Sequence, residues 1–211
     1  MFVKICGITR LEDAEAAVDA GANAIGFVFW PKSPRFIDPF RARTIAAALP
    51  PFVTPVGLFV NQPAEYVNGV ASLVHLGAVQ LHGDETPADA ALIHRPIVKA
   101  LGVTADDALE AVDLWPGSIT FLLDAHDPER RGGTGRTIDW HVAARIASRR
   151  RTLLAGGLTP DNVADAIQRV RPYGVDVSSG VERSPGIKDR AKIRALFESI
   201  HGITNDLAAR S

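Results

Sequence analysis

Two reactive side chains end short apolar runs in this sequence. Cys6, the only cysteine, ends the run FVKIC, and Asp124 ends the run ITFLLD. A thiolate can remove a proton near neutral pH, and a partly desolvated carboxyl group can serve as an acid or as a base. The pair is typical of general acid–base catalysis. Taken singly, a free cysteine is often an inert core residue, and an aspartate often caps a loop.

Small residues follow two further apolar runs. Gly156 and Gly157 lie within LLAGGLTPDNV, and Ser178, Ser179 and Gly180 lie within VDVSSGVE. Glycines let backbone N–H groups approach an anion, and a helix N-terminus adds a favourable dipole. Either loop alone fits a tight turn or a helix cap equally well. Together they predict a phosphate-binding site.

Three cationic or titratable side chains could support these groups. The prolines of FWPKSPRFI stiffen the loop that carries Arg35, and its guanidinium can bind a carboxylate with two hydrogen bonds. Strand alternation places Lys4 on the same face as Cys6, where it would favour a thiolate. Neutralising an interior carboxylate such as Asp176 is the main role we predict for Lys4. His82 in VQLHGDE receives a supporting role only.

A glycine-rich stretch, HDPERRGGTGRTIDW, follows the run that ends in Asp124. Gly132, Gly133 and Gly135 lie well inside this stretch, and not at an immediate strand-to-helix turn, so it does not fit a dinucleotide-binding fingerprint. We predict a lid over the site. A flexible surface loop is the alternative.

The elements that must position these residues alternate regularly between strand and helix. Helical patterns are predicted at about Leu11–Ala20, Pro39–Leu49, Pro63–Leu76, Pro87–Ile93, Thr104–Val112, Asp139–Arg149, Pro160–Val170 and Asp189–His201. The candidate strands are Phe2–Cys6, Ala24–Phe29, Pro55–Val60, Ala78–Leu81, Ile97–Leu101, Ile119–Asp124, Thr152–Ala155 and Gly174–Val177. Short apolar strands separated by helices indicate a parallel sheet, because parallel neighbours need crossover connections.

Eight strand–helix units predict a single-domain (β/α)8 TIM barrel, with an open doubly wound sheet as the alternative. In such barrels the active site lies where strands end and helices begin, which is where Cys6 and Asp124 stand. Thr9 with Glu12 fits a capping box, and Thr159 before Pro160 fits an N-cap. We predict a catalytic barrel over residues 1–202 and a C-terminal tail over 203–211.

The composition restricts the class of partner. The chain has 211 residues, of which 46% are hydrophobic and 22% charged, with a net charge of −1. This charge gives no reason to expect nucleic acid or a membrane as a partner. A single cysteine forms no internal disulfide, and no signal peptide or long apolar run is visible, so we expect a cytoplasmic protein. The histidines are scattered singly, so we predict no metal site.

Six ordered segments resemble the phosphoribosylanthranilate isomerase family, an aldose–ketose isomerase family of tryptophan biosynthesis. The resemblance covers nearly the whole chain up to Ile203. The segments are KICGIT, GFVFWPKSPR, VQLHGDE, GGTGRTIDW, LAGGLTPDNV and DVSSGVERSPGIKD.

The resemblance implies that Cys6 is the general base, that Asp124 is the general acid and that Arg35 receives the anthranilate carboxylate. It assigns the phosphate to Gly156, Gly157 and the turn from Ser178 to Gly180. The implied reaction converts N-(5'-phosphoribosyl)anthranilate to 1-(2-carboxyphenylamino)-1-deoxyribulose 5-phosphate, with no cofactor, in a monomer or homodimer.

Three alternatives are weighed against this interpretation. The related histidine-pathway isomerase uses a carboxylate at the end of the first strand, where this chain has Cys6. A metal-dependent epimerase needs inward His and Asp ligands that these strand ends do not supply. A non-catalytic binder of phosphorylated metabolites would not need both Cys6 and Asp124, and turnover by the purified protein separates the two cases.

Overall fold

A closed barrel of eight parallel strands forms the centre of the computed structural model, which describes residues 1–102, 107–124 and 139–208. Each strand pairs with the next, and β8 returns to β1 with Val3 opposite Val175 and Lys4 opposite Asp176. The predicted barrel is confirmed. The strands are β1 (Phe2–Cys6), β2 (Ala24–Val28), β3 (Thr54–Phe59), β4 (Ala78–Leu81), β5 (Ile97–Gly102), β6 (Thr120–Asp124), β7 (Thr152–Leu154) and β8 (Gly174–Val177).

Helices follow the strands and cover the outside of the barrel. They are α1 (Leu11–Ala20), α2 (Pro39–Ala47), α3 (Ala64–Val74), α4 (Pro87–Ala90), α5 (Asp107–Asp113), α6 (Trp140–Ala147), α7 (Val163–Val170) and α8 (Arg190–Ala208). A small antiparallel hairpin of β9 (Glu182–Ser184) and β10 (Ile187–Lys188) comes between β8 and α8. None of the helices in the described ranges has the length and apolar character to cross a membrane.

Strand alternation divides the buried side chains into an outer and an inner set. Outward residues such as Ile5, Phe27 and Phe121 pack with the helices in one large core. Inward residues form two smaller clusters, and the cluster that contains Leu122 and Leu153 is separate from the one that contains Cys6. Both faces of each strand are therefore buried, which explains why the strands are predominantly apolar with little polar alternation.

Two predicted helix caps are wrong. The residue before α1 is Arg10, whose side chain makes no cap bond, and the Thr9 hydroxyl donates to the carbonyl of Gly186 instead. Helix α7 begins at Val163 after Asn162, so Thr159 and Pro160 lie in the preceding turn. Thr9 is thus bonded to a distant loop, and the Thr159 N–H donates to Oδ1 of Asn162 at 2.8 Å while the Ser199 hydroxyl donates to the carbonyl of Pro160.

The C-terminal helix passes the predicted domain boundary. Helix α8 continues to Ala208, and the side chain of Ile203 is buried in the outer core. The division into a barrel over residues 1–202 and a tail over 203–211 stays a prediction. The other boundaries that the structure describes differ from the predicted ones by a few residues at most, as in α2, which ends at Ala47 and not at Leu49. The predicted start of α5, at Thr104, lies outside the described residues.

Candidate active site

The mouth of the barrel at the carboxyl ends of the strands brings the two reactive groups together. Cys6 is the last residue of β1 and Asp124 the last of β6. Asp124 is two residues beyond Leu122, which packs inside the barrel, so strand alternation turns its carboxyl group inward as well. Both residues are buried, at 4% and 8% exposure, where the low dielectric strengthens electrostatic interactions.

Cys6 lies beside a buried ion pair. The ammonium of Lys4 is 2.8 Å from Oδ1 of Asp176, in the pairing that the sequence predicts. Gly26 makes the room for this group, because a Cβ there would lie 2.8 Å from the Cys6 sulfur and 3.0 Å from Cε of Lys4. Any larger residue at position 26 would therefore displace the thiol or the ammonium.

Burial raises the pKa of the Cys6 thiol above its ordinary value, and Lys4 opposes that shift without overcoming it. Lys4 therefore favours the thiolate, as the sequence predicts, but by less than burial disfavours it. Desolvation of the thiolate is the largest cause, and the negative charge of Asp176 also raises the pKa and so offsets part of the effect of Lys4. In the structure as described, the thiol is mostly protonated at neutral pH.

Asp124 is joined to a short chain of polar side chains. Nε2 of His82 lies 3.4 Å from Oδ2 of Asp124, and Nδ1 of His82 lies 2.8 Å from the amide nitrogen of Gln80. In this arrangement the Gln80 amide donates to Nδ1, so the ring proton is on Nε2 and faces Oδ2 of Asp124. Gln80 is fully buried, which fixes the ring orientation.

Glu182 is a second buried carboxylate, and it binds two cationic side chains beside the mouth. Glu182 accepts hydrogen bonds from Nε (2.9 Å) and Nη2 (2.7 Å) of Arg35. Its Oε1 atom also accepts a hydrogen bond from the ammonium of Lys188, at 2.9 Å. Burial works to raise the pKa of Glu182, but the hydrogen bonds from Arg35 and the charge of Lys188 outweigh it and hold that pKa below its ordinary value. Glu182 is therefore ionised at neutral pH.

The loops after β7 and β8 approach one another closely. Gly156 and Gly157 both have positive φ angles, of 76° and 66°, which only glycine adopts readily. The Asn162 side chain holds this loop by donating to the carbonyl of Gly157 at 2.9 Å. Gly180 in the neighbouring loop contacts the backbone of Leu158 so closely that a Cβ would lie 1.8 Å from its carbonyl oxygen.

Comparison with known proteins covers the part of the chain that forms this site. A model of the family described as N-(5'-phosphoribosyl)anthranilate (PRA) isomerase matches residues 3–199. The chain belongs to this family. The prediction of a phosphoribosylanthranilate isomerase, an aldose–ketose isomerase of tryptophan biosynthesis, is confirmed.

Individual relatives agree with the family model. The N-(5'-phosphoribosyl)anthranilate isomerase of Pseudomonas fluorescens is 55% identical over 198 residues, which are 93% of this chain and 97% of that protein. The crystal structure of the Thermotoga maritima isomerase has a TM-score of 0.89 and 46% identity, covering 96% of this chain and 99% of that one. A further structure is of monomers generated from the Thermotoga maritima isomerase, an enzyme that is described there as dimeric.

One solved family structure contains a ligand. It is a phosphoribosyl anthranilate isomerase in complex with reduced 1-(o-carboxyphenylamino)-1-deoxyribulose 5-phosphate, with a TM-score of 0.86 and 44% identity, and it covers 96% of this chain and 99% of that chain. That ligand carries a carboxylate at one end and a phosphate at the other. The site of that relative therefore holds a molecule with two anionic groups.

The predicted site residues fall into two groups. The structure places the side chains of Lys4, Cys6, Arg35, His82 and Asp124, and the loops with Gly156, Gly157, Ser178, Ser179 and Gly180, at or beside the barrel mouth. Gly132, Gly133 and Gly135 lie outside the described residues, so the lid stays a prediction. The catalytic and binding roles of all these residues are taken up below as proposals.

Three polar residues of the site were missed by sequence reasoning. Glu182 and Lys188 lie in the segment DVSSGVERSPGIKD but received no role, and Gln80 precedes His82 by two positions. The alternation of β4 turns Gln80 toward the same side as His82, so strand periodicity could have found it. No pattern in the sequence pairs Glu182 with Arg35, 147 positions away.

Proposed function

We propose that Asp124 is the general acid and Cys6 the general base for isomerisation of N-(5'-phosphoribosyl)anthranilate at this barrel mouth. The observation that carries the proposal is that β1 and β6 each end in a buried, inward-facing reactive group at the same end of the barrel. The proposed product is 1-(2-carboxyphenylamino)-1-deoxyribulose 5-phosphate.

Asp124 acts in the first half of the reaction. A protonated carboxyl group delivers its proton to the ring oxygen of the ribosylamine, and the bond from that oxygen to C1 breaks. The nitrogen lone pair forms a C=N bond to C1, so the electrons are balanced and an iminium cation results. His82 orients the carboxyl group through its Nε2 atom, 3.4 Å from Oδ2.

Cys6 acts in the second half of the reaction. The thiolate removes the proton from C2, the electrons of that C–H bond form a C1–C2 double bond, and those of the C=N bond return to nitrogen. The resulting enolamine tautomerises to the ketone as a proton adds to C1 and the proton of the C2 hydroxyl leaves, and exchange with solvent then returns Cys6 to the thiolate and Asp124 to the protonated form. Burial raises the pKa of the free thiol, but an iminium cation beside the sulfur favours the thiolate when it is needed. The electron sink is the substrate's own iminium.

The two anionic ends of the substrate fit the rest of the mouth. Backbone N–H groups of the loops with Gly156, Gly157 and Ser178–Gly180 bind the phosphate, in the position that barrels of this kind use for phosphates. Arg35 binds the anthranilate carboxylate through its guanidinium. The ligand in the related complex has both groups, which supports this orientation.

The phosphorylated substrate also indicates where the enzyme works. A phosphate ester with a second negative charge crosses membranes poorly, because burying a charge in hydrocarbon is costly. We therefore propose that the chain works in the cytoplasm, as a monomer or a homodimer; its Thermotoga maritima relative is described as dimeric.

The test removes each proton-transfer group separately. Cys6→Ala and Asp124→Asn should each lower kcat by about 10²-fold to 10⁴-fold with little change in KM, because the proton moves only in the transition state. Turnover is followed by the loss of fluorescence of freshly generated substrate. Asp19→Asn, an exposed carboxylate change on α1, is the matched control and should keep wild-type rates.

The order of the two steps is tested with modified substrates. Substrate deuterated at C2 should show a primary isotope effect where proton abstraction limits the rate. A substrate with its ring already opened should restore turnover by Asp124→Asn but not by Cys6→Ala. Near-normal kcat of a folded Cys6→Ala variant would mean that the thiol only fills space, and the proposed mechanism would be wrong.

A further inference from the structure

Glu182 is a buried carboxylate that the acid–base mechanism does not use. Its side chain is 4% exposed and it contacts Arg35 on one side and Lys188 on the other. We propose that Glu182 is a positioning residue, which aims the guanidinium of Arg35 at the substrate carboxylate. This inference rests on the carboxylate-binding role proposed above for Arg35.

The hydrogen-bond geometry leaves one edge of the guanidinium for a ligand. Glu182 takes the Nε and Nη2 atoms of Arg35, at 2.9 and 2.7 Å. Among the described residues, Nη1 of Arg35 has no hydrogen-bond acceptor. Because the guanidinium is planar, fixing the Nε–Nη2 edge also fixes the direction of the Nη1–Nη2 edge. A planar carboxylate can bind there with two parallel hydrogen bonds.

The charges of the cluster explain why Arg35 can still attract an anion. A lone Arg35–Glu182 pair would be neutral, and the Glu182 carboxylate would repel a second carboxylate on the same guanidinium. The ammonium of Lys188, fully buried and 2.9 Å from Oε1, supplies another positive charge. The three groups therefore carry a net charge of +1, and the substrate carboxylate would neutralise it.

The backbone around Glu182 holds the carboxylate in place. Lys188 lies opposite Glu182 in the β9–β10 hairpin, and the N–H group of Gly186 donates to Oε1 at 3.2 Å. Lys192 donates to the backbone carbonyl of Glu182 at 2.8 Å. These contacts leave the Glu182 carboxylate little freedom to move. It can therefore fix the position of the Arg35 guanidinium that is hydrogen-bonded to it.

Gly7 confines Arg35 from the other side. A Cβ at Gly7 would lie 2.6 Å from Cδ of Arg35 and 3.1 Å from the hydroxyl of Ser178. The aliphatic stem of Arg35 therefore runs directly against the backbone that follows Cys6. The stem is held by Gly7 and the head group by Glu182, which places the cation between the general base and the loop after β8.

The test compares two reduced product analogues that differ only in the carboxylate. One is reduced 1-(o-carboxyphenylamino)-1-deoxyribulose 5-phosphate, and the other is its phenylamino counterpart. Glu182→Gln should weaken competitive inhibition by the first about 10-fold to 100-fold, the range of a charge-assisted hydrogen bond. Inhibition by the second should stay within about 2-fold, and kcat should change little, since substrate and transition state share the carboxylate contact.

A double variant tests whether Glu182 acts through Arg35. Arg35→Ala should abolish the preference of the wild-type enzyme for the carboxylated analogue, and adding Glu182→Gln should cause no further loss of that preference. Asp165→Asn makes the same kind of change in the exposed Arg169–Asp165 pair on α7 and should leave both inhibition constants unchanged. Circular dichroism and thermal unfolding establish that each variant is folded.

The outcomes separate this inference from the role of Arg35. If the wild-type enzyme does not prefer the carboxylated analogue, the proposed role of Arg35 is wrong. If Arg35→Ala removes the preference and Glu182→Gln does not, only the positioning role of Glu182 is wrong. The positioning role is also wrong if Glu182→Gln weakens inhibition by both analogues equally, or if it tightens binding of the carboxylated analogue. Should Glu182→Gln fail to fold, Glu182→Asp, which keeps the charge one methylene short, must still lower the preference partially.

Discussion

Substitution of Gly180 by alanine should separate the two loops proposed to bind phosphate. The added Cβ would lie 1.8 Å from the carbonyl oxygen of Leu158, which is backbone and cannot turn aside. The two loops must therefore move apart by about 1.6 Å to reach the 3.4 Å at which ordinary contact begins. A hydrogen bond of about 2.9 Å stretched by that amount no longer exists.

The expected effect is a loss of phosphate affinity. Each hydrogen bond to a charged group contributes about 1.5–3 kcal/mol, so losing one raises KM at least about 10-fold and losing two about 100-fold. The overpacking should also lower the free energy of unfolding by about 1–3 kcal/mol. KM comes from the fluorescence assay, the affinity for inorganic phosphate from competitive inhibition, and stability from urea denaturation.

Gly69→Ala is the matched control for the Gly180 variant. Gly69 lies inside α3, and a Cβ there would meet nothing within 4 Å. This variant should keep wild-type KM and gain about 0.5–1 kcal/mol in the free energy of unfolding, because alanine favours a helix more than glycine does. If folded Gly180→Ala binds inorganic phosphate as tightly as the wild type does, these loops do not hold the phosphate.

Two further predictions concern the buried charges beneath the mouth. Burial raises the pKa of the Cys6 thiol, so the ultraviolet absorbance of its thiolate in the free enzyme, measured against Cys6→Ala, should appear only above the ordinary thiol range; a thiolate already formed below neutral pH would contradict this account of the thiol. Lys4→Met leaves Asp176 buried without its partner and should lower the free energy of unfolding by about 3–5 kcal/mol, measured by urea denaturation. Adding Asp176→Leu should recover most of that loss, and a double variant no more stable than Lys4→Met would contradict this account of the pair.

The amino-acid sequence determines the local part of this structure. Short apolar runs separated by helical patterns give the order of the strands, and β1, β4 and β8 have the bounds that the sequence predicts. Strand alternation also predicts that Lys4 and Cys6 share a face. These features depend on residues a few positions apart, so a linear pattern contains the necessary information.

Only the tertiary structure determines the partners of the charged groups. Closure of the barrel brings β8 beside β1 and so pairs Lys4 with Asp176, 172 positions apart; the hairpin after β8 places Glu182 against Arg35. The same closure pulls Thr9 toward Gly186 and away from its predicted cap. The pKa of Cys6 also depends on it, because desolvation is a property of the whole packed mouth and not of the residues beside Cys6 in the chain.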